Sequence, residues 1–125
     1  MLIAGDSSEF KDKVRTQVIE AYKNEYNFEV VNINKLETID SLKYDIILIM
    51  DTTLAWGGFN PSFKEFLDCP HNKKKTVLFM TAGDPGWQYS YKGLDAVTSA
   101  SYVENVESAV SRIKKEIGKI VMKKP

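Results

Sequence analysis

Three short segments hold most of the residues suited to binding or orienting a ligand. Gly5-Asp6-Ser7-Ser8-Glu9 combines two hydroxyls with two carboxylates; Thr52-Thr53-Leu54-Ala55-Trp56-Gly57-Gly58 sets a tryptophan beside two glycines; Thr81-Ala82-Gly83-Asp84-Pro85-Gly86-Trp87 is followed closely by Tyr89 and Tyr91. Hydroxyls at the head of a helix, together with its unpaired N–H groups, suit an anion. Tryptophan suits a flat ring, and glycine lets backbone groups come close to one. Trp56 follows no strand or helix pattern, so a functional reason for its placement is favoured. Trp87, Tyr89 and Tyr91 admit three uses: a stacking surface, a cluster that folds a long loop onto the domain, or a homodimer contact, since Trp and Tyr are enriched at interfaces.

Other candidates carry less. Cys69-Pro70-His71 pairs a thiol with an imidazole, but the proline between them leaves their directions unset and no acid orients the histidine, so a structural reading is preferred. One cysteine excludes an internal disulfide, and with the single histidine it leaves no Cys/His set for structural zinc. No carboxylate cluster suggests another metal, and no catalytic residue is assigned. Thr52 and Thr53 read either as caps of local backbone groups or as ligand contacts, and Asp51 is open in the same way.

Lys plus Arg and Asp plus Glu both total 17, so no strong field draws the chain to nucleic acid or an anionic membrane. The longest apolar runs fall far short of the roughly 20 residues that span a bilayer, and the start of the sequence lacks a signal peptide's pattern. The expectation is a cytoplasmic protein. At 125 residues, residues 1–125 are expected to form one domain with no linker or repeat.

The elements that would position these loops follow from periodicity. Residues 2–4, 46–50 and 77–80 are short, nearly unbroken apolar runs separated by helix-length segments, the pattern of βαβ units in a parallel sheet covered on both faces. Residues 28–31 alternate more and suit an edge strand. Phe10, Val14, Val18, Ile19, Tyr22 and Tyr26 recur at helical spacing, with Ser7 or Ser8 as the cap. Pro61 fits the first position of a helix over residues 62–67. Val103, Val106, Val110, Ile113, Ile117 and Ile120 form a last apolar stripe, with Lys114, Lys115 and Lys119 turned outward. A fifth strand is expected at residues 94–98, with no helix assigned between 82 and 102. The result is an α/β three-layer sandwich whose ligands bind outside the carboxyl ends of the strands.

Tyr44-Asp45-Ile46-Ile47-Leu48-Ile49 followed by Thr53-Leu54-Ala55-Trp56-Gly57-Gly58 resembles the third strand and aromatic loop of the flavodoxin family, and the likeness continues through Pro61, Lys64, Phe66 and Leu67. Lys75-Thr76-Val77-Leu78-Phe79-Met80-Thr81-Ala82-Gly83 resembles that family's fourth strand and second loop. The resemblance implies a five-stranded parallel sheet of order 2-1-3-4-5 with helices on both faces. It also implies non-covalent FMN and electron transfer through the flavin to a redox partner protein. The implied contacts are Ser7, Ser8 and Lys11 for the phosphate, and Thr53, Trp56, Gly57, Gly58, Ala82, Gly83, Asp84, Trp87 and Tyr89 for the ring. Asp95 to Ser101 also resembles a short motif of domains that carry FMN on a hydroxyl, with Ser101 in the acceptor's place, but capping of the final helix by Ser99 or Ser101 is the preferred reading.

The first loop departs from the family pattern, because Glu9 stands where a glycine is expected and Asp6 adds a second negative charge. Two carboxylates disfavour a dianion by about 1 kcal/mol per charge pair at 4 Å even in bulk-like water. Lys11 compensates in part. Two functions stay open: an FMN-binding redox protein, or a flavodoxin-like domain that has lost FMN and binds another ligand or a protein.

Overall fold

The computed structural model describes residues 1–6, 8–52, 61–82, 88–100 and 102–122, without the side chains of residues 61–63 and 103. Three apolar segments and two mixed ones become a parallel sheet: β1 (Leu2–Gly5), β2 (Glu29–Asn32), β3 (Ile47–Thr52), β4 (Thr76–Thr81) and, at the far edge, β7 (Val97–Ser99). Their order is β2-β1-β3-β4-β7, with every neighbouring pair parallel. Counted by sheet strands alone, this is the expected 2-1-3-4-5.

Strand periodicity of two explains why the central runs are apolar throughout. Ile3, Leu48, Met50, Val77 and Phe79 enter one core with Phe10, Val14 and Val18 of α1 (Glu9–Tyr22) and with Val106, Val110, Ile113 and Ile117 of α4 (Val106–Met122). Leu2, Ala4, Ile47, Ile49, Leu78 and Met80 enter a second core, closed by Phe66 and Leu67 of α2 (Pro61–Leu67) and by Ile33 and Leu36. The last two belong to a 3-10 turn, Ile33–Thr38, opened by the Asn32 side chain, which accepts the Asn34 N–H at 2.9 Å. One face of the sheet is therefore covered by two long helices and the other by short pieces.

The run at residues 94–98 does not form one strand. Leu94–Asp95 (β6) pairs antiparallel with Ser90–Tyr91 (β5), and only residues 97–99 join the sheet. The Ala96 N–H donates to Tyr89 O at 2.9 Å, one further rung of the hairpin, and from Val97 on the chain pairs with β4. Lys92 and Gly93 at its tip have φ of 46° and 88°, the paired left-handed residues of a type I′ turn. Tyr91 and Lys92 tie the hairpin to Asp68, each at 2.7 Å, just beyond α2. The expected last helix starts with a 3-10 turn over Val103–Asn105 before α4. No helix among the described residues is long and apolar enough to cross a membrane.

Candidate functional site at the carboxyl ends of the strands

Because the five sheet strands run parallel, Gly5, Thr52, Thr81 and Ser99 end at one margin of the sheet, and α1 begins there. Gly5 belongs at that margin for a steric reason: a Cβ would lie 2.7 Å from Met50 O and 2.9 Å from Met50 Cβ. The Asp6 N–H then bonds Met50 O at 3.2 Å, which directs the chain across the end of β3.

Ser8 is the N-cap of α1. Its extended backbone (φ −156°) aims Oγ at the Lys11 N–H, 3.1 Å away. Of the two serines that suit the cap by sequence, Ser8 takes the role, and Ser7 lies outside the described residues.

The side chain of Lys11 runs inward along the first core and is 2% exposed. Its Nζ lies 2.6 Å from Asp6 Oδ1 and donates to Thr52 Oγ1. Thr52 in turn donates to Asp6 Oδ2 at 2.9 Å and receives a long contact of 3.4 Å from the Thr81 hydroxyl. One donor and two acceptor positions are all that a hydroxyl has, so Thr52 is fully used. The loop that follows β1 and the ends of β3 and β4 are thus joined through a buried ammonium. Arg15 holds the same loop from α1, donating to Asp6 O at 2.9 Å and to Asp12 Oδ1 at 2.6 Å.

This network was legible only in part. Asp6, Thr52 and Thr81 belong to the three loops, whereas Lys11 enters the sequence reading only as a phosphate contact implied by the family resemblance. Its place three residues before Val14 and seven before Val18 puts it on the buried stripe, which is the signal that could have shown it inside.

The acidic residues of the first loop are also placed differently from one another. Glu9 has a side chain 82% exposed and lies 3.7 Å from Lys13 on the outer surface of α1. Asp6 is the carboxylate that faces the strand ends, with its side chain 37% exposed. Asp6, Glu9 and Asp12 each have a basic neighbour, Lys11, Lys13 and Arg15, so the head of α1 carries little net charge.

On the other face, Asp51 is buried at the end of β3 and Tyr89 packs half-buried against the second core. Burial pushes the Tyr89 phenol above its ordinary range, and the charges of Tyr91 and Asp51 add to the shift. Tyr89 and Tyr91 both pack onto their own chain, as a local cluster would. Beside them a cleft of about 400 Å³ opens between Tyr89, Asp95, Thr98 and Arg112, whose guanidinium donates to Thr98 O. Ala82 continues the β4–β7 ladder through its N–H to Ser99 O at 3.1 Å.

Of the twelve residues implied for a cofactor, Ser8, Lys11, Ala82 and Tyr89 are thereby located; Ser7, Thr53, Trp56, Gly57, Gly58, Gly83, Asp84 and Trp87 lie outside the described residues, as does Ser101. Cys69 is exposed and begins the short α3 (Pro70–Lys73). Among the described residues no three His, Cys, Asp or Glu side chains converge as metal ligands.

The architecture is similar to that of solved flavodoxins. Oxidised flavodoxin 2 from Bacillus cereus superposes with a TM-score of 0.57 over 94% of this chain and 97% of its own, at 16% identity. Oxidised flavodoxin 1 from the same organism gives 0.52 over 99% and 97%, at 15% identity. No protein-family model and no curated protein matches the sequence. At such identities the likeness establishes a flavodoxin-like fold.

Proposed function

We propose that the chain binds flavin mononucleotide without a covalent bond at the carboxyl ends of its strands and passes electrons through it. The observation that carries this reading is a fold matched over nearly the whole length of two flavodoxins, with Gly5, Thr52 and Thr81, the residues that open the three candidate segments, ending their strands at one margin of the sheet. Bound there, the flavin would supply the one- and two-electron chemistry itself. The chain's part is to hold the ring and tune its surroundings. Trp56 and either Trp87 or Tyr89 are the proposed stacking partners, with Thr53, Gly57, Gly58, Ala82, Gly83 and Asp84 offering backbone groups to its polar edge.

Of the two carboxylates of the first loop, Glu9 points away and pairs with Lys13, which leaves Asp6, paired with Lys11, as the one that faces the phosphate end. Ser8 still has its hydroxyl proton to donate, because its Oγ only accepts in the cap. A redox partner would meet a chain of zero formal net charge, so their association should depend little on salt.

A second reading is favoured by Lys11, whose ammonium is already matched by Asp6. On that reading the same margin binds a different ligand or a protein, and FMN has been lost. Titration of the purified chain with FMN, followed by tryptophan fluorescence and by flavin absorption, separates the two. The expected result is quenching with a bound-flavin spectrum, weakened by about 1–3 kcal/mol in Trp56→Ala. Absence of both signals at high FMN would leave the second reading.

A further inference from the structure

We propose that the Asp6 carboxylate is a built-in anion that fills the place at the head of Lys11 which an external phosphate would otherwise take. By doing so it sets how strongly the site distinguishes a phosphorylated ligand from its unphosphorylated form.

The chemistry begins with Lys11. An ammonium with almost no solvent access keeps its charge only beside an anion and hydrogen-bond acceptors. Both are supplied where β1 and β3 end, by Asp6 and by the Thr52 hydroxyl. Asp6 is not an inner residue of the core. It sits on the loop into α1, and its side chain is more than a third exposed, so its far side faces solvent. Its fit is also incomplete: apart from the ion pair, Oδ1 is buried without a hydrogen bond. The groups it meets are those an oxyanion wants: the buried ammonium and the Thr52 hydroxyl, with the positive end of α1 following it in the chain. A carboxylate brings one negative charge and two oxygens to that setting; a phosphate monoester brings up to two charges and three free oxygens.

With Asp6 in place, an incoming dianion meets a like charge at the mouth and finds the ammonium already paired. The inference takes from the flavin reading only its choice of organic ligand. Inorganic phosphate tests it separately.

The experiment compares FMN with riboflavin on the full chain, on Asp6→Asn, and on the double variant Asp6→Asn/Lys11→Met. The wild-type chain is expected to bind the two flavins within a few-fold of each other. Asp6→Asn should tighten FMN by about tenfold or more, the scale of one charge-assisted hydrogen bond, with riboflavin unchanged. The double variant should lose that gain. A wild-type preference for FMN of about a hundredfold, or an FMN-to-riboflavin ratio that Asp6→Asn does not alter, would overturn the proposal.

If neither flavin binds any variant, the flavin reading fails and inorganic phosphate decides. The thermal midpoint of Asp6→Asn should then rise in phosphate relative to chloride of equal ionic strength, while that of the wild type does not. Recovery of a fold in phosphate alone counts for the proposal. A midpoint indifferent to phosphate, or a variant unfolded in both salts, counts against it.

Discussion

A lysine enclosed on nearly every side makes the two members of its ion pair unequal. Removing Lys11 leaves Asp6 with more than a third of its side chain exposed, where water can rehydrate the carboxylate. Removing the charge of Asp6 leaves an ammonium with 2% exposure and no anion. Breaking a buried pair costs about 3–5 kcal/mol when the remaining charge has no access to water, and less when it does. Asp6→Asn should therefore approach the lower end of that range in chloride, and Lys11→Met, which keeps volume and apolarity along the first core, should lose clearly less. Denaturant midpoints with unchanged slopes would measure both. Equal losses would mean that the pair is more evenly solvated than its exposures indicate. The same asymmetry explains why residue types alone did not disclose this part of the site. A lysine in the first turns of a helix usually lies on the surface, and only its register with Val14 and Val18 separates Lys11 from Lys13, its exposed neighbour.

At the scale of elements, the hairpin β5–β6 shows how a short β-like run can be misjudged. Residues 94–98 look like one strand because Leu94, Val97 and Thr98 favour extended backbone, yet Ala96 falls where the chain changes partners. The turn signal was present as Gly93, but its neighbour is Lys92, not the Asn or Asp that usually accompanies a left-handed turn. What fixes the hairpin lies elsewhere in sequence: Asp68, between α2 and α3, receives both Tyr91 and Lys92. Their bonds hold the Asp68 carboxyl below the usual carboxylate range, the Lys92 bond having the larger effect, and the bond to Asp68 pushes the Tyr91 phenol above its usual value of 10.0. The signs differ. Asp68 favours the docked hairpin above its unfolded pKa, and that contribution fades as pH falls through its lowered folded value. Tyr91 favours docking below pH 10 and loses its contribution as pH rises through its raised value. Phenolate absorbance near 295 nm should accordingly show Tyr91 ionising at higher pH in the wild type than in Asp68→Asn. The difference between the two proteins isolates it from Tyr22 and Tyr89, raised mainly by burial, and from Tyr44, raised by its bond to Glu29. Coincident titration curves would show the hairpin undocked in solution.

For the molecule as a whole, the pattern of apolar runs carried the architecture because burial on both faces leaves a simple mark. Leu2, Ile47 and Leu78 face one core while Ile3, Leu48 and Val77 face the other, so apart from Thr76 at the start of β4 no polar residue occurs in the three central strands until their carboxyl ends. β2 could be recognised as an edge for the opposite reason, and three of its four residues are exposed, Val30 by 50%. The crossover into β3 was less legible, since its 3-10 turns, Ile33–Thr38 and Ser41–Lys43, present only Ile33 and Leu36 to the second core and give no helical stripe to read. This division predicts a gradient of local stability. Opening β2 breaks a single ladder and exposes little apolar surface, whereas β3 is paired on both sides and lies between two cores. Native-state hydrogen exchange should thus find the amides of residues 47–50 and 77–80 exchanging only through global unfolding, and those of residues 29–32 through cheaper local openings that are insensitive to low denaturant. Protection of β2 equal to that of β3 would require a cover on that edge that the described residues do not provide, and would locate a partner surface opposite β7.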